Sequence, residues 1–146
     1  MLPADPQADL IVVEKSQRLL HLFAHGVLLK TYRVALGGNP VGAKRRRGDL
    51  KTPEGDYIID ARYPQSQFHR GLHISYPNAL DRARARQEGL DPGDAILIHG
   101  LPNGQGALGA AHLAKDWTAG CIAVTNSEIE EIWSLVPDGT RVMIKP

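Results

Sequence analysis

The chain reads as a mainly β domain with two or three short helices. Short apolar runs punctuated by turn residues fill its first half, and two segments carry helix caps ahead of helical periodicity. Its 146 residues, 42% apolar and 23% charged, suit one soluble-type domain with a core of its own and exclude a disordered chain.

LIVVEK (10–15), RLLHLF (18–23) after the polar Ser16-Gln17 pair, and VLLKTYRVAL (27–36) after Ala24-His25-Gly26 read as three strands. Connections this short predict an antiparallel meander. Residues 37–55 are glycine-rich and basic, the composition of a long loop. GDYIIDARY (55–63) and GLHISY (71–76) supply two more strands. Asn78 is placed to cap a helix through ALDRARARQE (79–88), with Arg82, Arg84 and Arg86 on its wet face and Gly89 ending it. AILIH (95–99) is a buried strand with His99 at its C-terminal end, and residues 101–117 form a mobile loop with one helical turn. Thr125 and Glu128 have capping-box spacing, and Ile129, Ile132, Trp133 and Val136 follow at i, i+3, i+4 and i+7, an amphipathic helix on the core. PDGT (137–140) then turns the chain into a last strand, RVMIK (141–145). Neither a repeat nor a linker divides the sequence, so we expect a single domain over 1–146 with its core at about 10–145.

Seventeen basic against 16 acidic side chains give a net charge of +1, too little for a global field that draws in nucleic acid or a membrane. Lys44 to Arg47 form a basic run without interleaved aromatics; it reads as a solvated loop, a phosphate or nucleic-acid contact, or a reader of substrate carboxylates, with Arg46 as candidate. His21/His25 and His69/His73 have i, i+4 spacing, but in strands such residues stand about 13 Å apart, so no metal site is expected. The N-terminus is acidic where an export signal would be basic, and no run reaches the roughly 18 apolar residues of a membrane span. As it stands, the sequence points to the cytoplasm, or to the periplasm if a leader has been removed.

Cys121 is the only cysteine, which rules out an internal disulfide. A lone cysteine beside an apolar run is commonly a small core residue. Gly120 before it, however, leaves room for a substrate carbonyl, and His99 is the natural partner base. A cationic His99 would lower the thiol from a pKa of ~8.5 to ~6 and let it react with an electrophile at pH 6. The residues by themselves leave nucleophile and core thiol both open. His112, in the 101–117 loop, reads as solvated.

IHG (98–100), TAGCIAV (118–124) and GDLKTPEGDYII (48–59), in this arrangement, resemble the L,D-transpeptidase catalytic domain, or YkuD, family. The resemblance covers about residues 10–145 and implies a sandwich-like β fold without a cofactor. It also implies Cys121 as nucleophile and His99 as base, Thr118 and Gly120 in the catalytic turn, and oxyanion donors from the backbone around Gly120 and Cys121. Gly100 follows the base and, with His73, Ala123 and Arg46, is expected on the substrate side. Three features depart from the pattern: Ala119 stands for a histidine, Ala123 for an arginine, and the interval from His99 to Cys121, 22 positions, is longer than in the commonest form. The implied substrate is a peptidoglycan stem peptide or muropeptide, cut between the L-centre of its third residue, often diaminopimelate, and the following D-alanine. A thioester on Cys121 then passes to water, the preferred L,D-carboxypeptidase reading, or to an amine, the L,D-transpeptidase reading. A domain that only binds cell-wall peptides is the third reading.

Overall fold

The structure is a computed structural model and describes residues 7–65, 67–93 and 95–146; residues 1–6, part of the acidic N-terminus on which the export reading rests, lie outside it. Strands β1 (Leu10–Glu14), β2 (Leu19–Ala24) and β3 (Val27–Arg33) make the expected meander. Strands β4 (Gly55–Gln65) and β5 (His69–Ile74) precede helix α1 (Ala79–Glu88). Then come β6 (Leu97–His99), a 3₁₀ segment (Gly106–Ala114), β7 (Ile122–Ala123), helix α2 (Asn126–Leu135) and β8 (Arg141–Lys145).

All eight strands belong to one sheet, in the order β3-β2-β1-β8-β4-β5-β6-β7. Its sandwich-like shape comes from folding this sheet over on itself. Strand β4 is the hinge: Gly55–Ile58 pairs with β8, the register shifts between Ile59 and Ala61, and the remainder pairs with β5. Such an irregularity bends a strand and sharpens its twist. Opposite the hinge, Ala35 exchanges both backbone hydrogen bonds with Ala123 of β7, at 3.0 and 2.9 Å, bringing the two ends of the sheet together. Between the halves lies one core that includes Ile11, Leu22, Leu72, Ile98, Ile122 and Ile129. Mixed pairing distinguishes this sheet from a simple meander, because β1 runs parallel to β8 and β6 parallel to β7.

Both helices have the caps their sequences encode. The Asn78 side chain accepts from the Asp81 amide and the Asp81 carboxylate accepts from the Asn78 amide, while Gly89 closes α1 in the left-handed region at φ 69°. In α2 the Thr125 hydroxyl and Glu128 carboxylate make the same reciprocal exchange, and Ile129 and Ile132 are buried on the core. Two departures from expectation affect the site. Ladder pairing of the 95–99 segment is confined to Leu97–His99, with Ala95 at φ 57° outside it. The 101–117 segment carries 3₁₀ structure kinked at Gly109.

The long 37–54 loop is tied to the sheet by Lys15, whose buried ammonium donates to Gly42 O (2.8 Å), Thr52 O (2.7 Å) and Glu54 Oε2 (3.0 Å). Removing the α2 cap in Thr125→Ala is expected to cost about 1 kcal/mol, read from the urea midpoint at unchanged m-value.

Candidate active site

Strands β6 and β7 pair in parallel with Ile98 opposite Ile122 and His99 opposite Ala123. Side chains alternate across a strand. Ile98 and Ile122 fill the core, so Leu97, His99, Cys121 and Ala123 stand on the other face, with Cys121 one diagonal step from His99. Such neighbours have Cα atoms about 7–8 Å apart.

His99 is completely buried. Its Nδ1 lies 2.6 Å from Gly100 O, and since a carbonyl only accepts, the proton sits on Nδ1 and the lone pair on Nε2. That Nε2 is buried without a hydrogen-bond partner among the described residues. Phe68 stacks on the imidazole at 3.8 Å and 9°, and the Trp117 ring lies 5.9 Å away. Burial pushes the His99 pKa down to about 4, against the opposing pull of the Gly100 carbonyl, so the ring is a neutral base at physiological pH. Gly100, expected on the substrate side, is engaged with His99 through its backbone. Its carbonyl orients the ring, its amide donates to His69 O at 3.0 Å, and a Cβ there would lie 2.6 Å from Asn126 Oδ1.

The Cys121 thiol is partly exposed. The Leu97 amide donates to Sγ at 3.4 Å, and Sγ lies 3.5 Å from Ala95 O. Burial pushes the thiol pKa up, with the Leu97 amide and the Lys44 charge pulling the other way. The expected cationic histidine beside a thiolate is therefore corrected: at rest the pair is a neutral imidazole and a neutral thiol, because enclosure disfavours both charged forms.

Gly120 has φ 140°, and a Cβ there would come within 2.8 Å of Lys51 O and 3.1 Å of Ile96 Cδ1. The turn that carries Cys121 is thus wedged against the KTPEG segment. Thr118 is buried inside the turn, its hydroxyl donating to Cys121 O at 2.7 Å and accepting from the Gly120 amide at 3.0 Å. That changes the expected oxyanion arrangement, since the Gly120 N–H is already engaged. Upstream, the Asp116 carboxylate accepts from the Arg18 guanidinium (2.9 Å at Nη2) and the Leu36 amide (3.0 Å), fixing the entry to the turn.

His73 stands opposite Leu97 on the same face, two strands from Cys121 and thus roughly 10 Å away, with its Nδ1 2.6 Å from Asp60 Oδ1. Ala123 is buried, its backbone bridging to Ala35. Arg46 is exposed on the rim of a basin of about 500 Å³ that Arg45, Asp49 and Lys51 also line. The other histidines of the i, i+4 pairs have partners of their own, Glu14 for His21, Asp9 for His25 and Glu130 for His69.

Two readings need revision. His112 is half-buried rather than solvated: Trp117 Nε1 donates to its Nδ1 at 3.1 Å, and burial lowers its pKa against the opposing pull of the Val124 backbone. Nor is the basic run uniform, because Lys44 is buried and paired with Asp49 while Arg45 and Arg47 are exposed beside Glu88 and Asp91. Sequence reasoning missed Phe68, Trp117, Asn126, Lys44 and Asp49. Trp117 had a signal, an aromatic three positions from the turn glycine; Lys44 was masked by the arginines after it.

With the base free of its proton only above about pH 4, the acid limb of kcat/KM is expected near 4 rather than near 6.5. The same burial makes protonation favour the unfolded chain. Stability should be complete above pH 6.5 and fall by about 3 kcal/mol as the pH drops to 4, a slope that His99→Gln removes in urea titrations. Gly120→Ala should lower both the melting temperature and the activity, through the clash with Lys51 O and the positive φ.

Known proteins share the sequence pattern and the fold of this chain. The family profile for the L,D-transpeptidase catalytic domain, YkuD, matches residues 8–144. YafK of Escherichia coli (strain K12), a protein named for the L,D-transpeptidases, is 30% identical over 132 residues, covering 86% of this chain and 46% of YafK. YkuD of Bacillus licheniformis is 29% identical over 136 residues, 93% of this chain and 65% of that protein. Among solved structures, a variant of the helical cell shape determining protein Pgp2 from Campylobacter jejuni superposes with TM-score 0.71 at 25% identity, over 98% of this chain and 48% of Pgp2. L,D-transpeptidase 3 from Mycobacterium tuberculosis shares the fold, with TM-score 0.62 at 14% identity over 95% of this chain and 61% of that one. The chain thus spans about half the length of YafK and Pgp2. From its eight-stranded folded sheet to the turn that carries Cys121, this chain belongs to the L,D-transpeptidase catalytic domain (YkuD) family.

Proposed function

We propose that the domain is a cysteine acyl-transfer enzyme acting on peptidoglycan stem tetrapeptides, and that water is its principal acceptor. The observation carrying this reading is the buried, partnerless Nε2 of His99, held in its basic tautomer by Gly100 O one diagonal step from Cys121. A nitrogen in that state is poised to accept a proton.

As the scissile carbonyl arrives, Nε2 takes the Sγ proton, the S–C bond forms, and the carbonyl π pair moves onto oxygen. Backbone donors at the turn, with the Cys121 amide foremost, hold that oxyanion. Collapse breaks the C–N bond, and Nε2–H delivers the proton to the departing D-alanine amine. In the second half, His99 takes a proton from water as it attacks the thioester, the S–C bond breaks, and the thiol is restored. Arg46, on the rim of the basic basin, is suited to the carboxylates of the stem, and His73 to the groove wall.

Enclosure favours water. His99 has no exposed surface and lies under Phe68 and Trp117, so a small acceptor reaches Nε2 more readily than the branched amine of a second stem. A second recess gives the amine reading its own support. About 250 Å³ in size and lined by Leu101, Pro102, Leu108, His112 and Trp117, it could seat the side chain of an incoming D-amino acid.

Cys121→Ala should abolish turnover with the fold intact, whereas a domain that only binds would retain its peptide affinity. His99→Ala is expected to cost on the order of 10³-fold in acylation and His112→Ala much less. Mass spectrometry of tetrapeptide incubated with excess D-methionine decides the acceptor: tripeptide in excess supports hydrolysis, and exchanged peptide in excess establishes transfer to amines.

A further inference from the structure

Lys44 takes no part in the steps above, yet it is the interior member of the basic run. Its side chain is 4% exposed, against 61% for Arg45 and 59% for Arg47. The ammonium donates to Asp49 Oδ1 at 2.9 Å and to Arg46 O at 3.2 Å. An ammonium has three N–H bonds, so these two acceptors leave one without a partner among the described residues. A Cβ on Gly120 would stand 3.7 Å from Lys44 Nζ, which puts the cation directly beside the residue preceding the nucleophile.

Asp49 is bound on every side. Its carboxylate accepts from the amides of Arg45 (2.9 Å), Arg46 (3.1 Å) and Lys51 (3.1 Å) as well as from Lys44. Burial alone would raise its pKa, but these donors hold it at about 2. The pair is therefore polarised, with the anion anchored in the loop backbone and the cation presented to the catalytic turn. An exposed ion pair would close the loop without the desolvation cost of an interior ammonium.

We propose that Lys44 is a positioning residue of the reaction: held by Asp49 against Gly120, its ammonium stabilises the Cys121 thiolate and the negative charge that gathers beside it during attack. This rests on Cys121 being the nucleophile. Lys44 gives up no proton; the thiol proton still passes to His99 Nε2, and the cation supplies only its field. The other groups around the thiol do not duplicate it. His99 from β6 and His112 from the 3₁₀ segment are held toward neutrality by burial, the Lys51 ammonium is bound to Val41 O, and the Asp116 carboxylate is occupied by Arg18 and Leu36.

The test is the pH dependence of Cys121 alkylation by iodoacetamide, which needs no substrate and is thus independent of the choice of peptide or acceptor. Lys44→Met should raise the alkylation midpoint by about one pH unit and slow the reaction about tenfold at any pH below both midpoints, and Lys44→Arg should restore most of the loss. Asp49→Asn loosens the same loop but leaves the cation, so its midpoint should stay or fall. An unshifted midpoint in Lys44→Met overturns the proposal. So does an upward shift of about one pH unit in Asp49→Asn, since that marks a structural role of the pair; Asp49→Asn keeps the cation, so this outcome can be read even if Lys44→Met does not fold. A wild-type thiol that fails to alkylate at any pH up to 10 overturns the nucleophile reading itself, and this inference with it. A normal wild-type profile without peptide turnover removes only the substrate assignment.

Discussion

The parallel pairing of two short strands is the constraint on which the site depends. With Ile98 opposite Ile122, the core takes both isoleucines, and the period of two forces His99 and Cys121 together onto the opposite face. A slip of one residue would send the imidazole into the core and separate it from the thiol. Strand β7 is only two residues long, too short to hold a register by its own hydrogen bonds. Its place is secured from its other edge, where Ala35 exchanges two backbone bonds with Ala123, and from the Val124 amide, which donates to His99 O at 2.9 Å. Closure of the folded sheet and assembly of the site are thus one event.

Enclosure sets the chemistry that this geometry can perform. The rings of Phe68 and Trp117 pack on His99, and the Gly100 carbonyl fixes its tautomer, so the imidazole is enclosed, neutral and oriented. A thiol in the same surroundings also stays neutral. In the proposed reaction, charge would develop only as the thiol gives up its proton, and there fixed dipoles and a nearby cation act at low dielectric and count for more than they would in water.

The 37–54 loop is a structural wall of the site rather than a connection around it. Lys15 fastens it to β1 through three interactions, and the Lys51 carbonyl sits where a side chain on residue 120 would be. The Gly37 amide donates to the Thr52 hydroxyl, so the two ends of the loop hold each other. Strand β3 leads into this wall and strand β4 leads out of it, which couples the nucleophile turn to both halves of the sheet.

Local features were legible in the sequence because they depend on residues a few positions apart. The meander, both capped helices, the last strand and the pairing of a glycine with Cys121 all follow from turn chemistry, capping and periodicity. His99 and Cys121 could be named as partners from their motifs. Which face they share, which tautomer the ring adopts and what charge each carries were decided by tertiary structure, since register, hydrogen-bond partners and burial all arise from segments distant in the chain. The same reason accounts for Lys44 and His112. A lysine heading a run of arginines and a histidine in a glycine-rich loop both look solvated in isolation, and only packing against Gly120 and Trp117 takes them out of water. The sequence by itself determined the elements and named the candidate pair; the fold decided their environment, because desolvation is a property of what surrounds a group and not of the group.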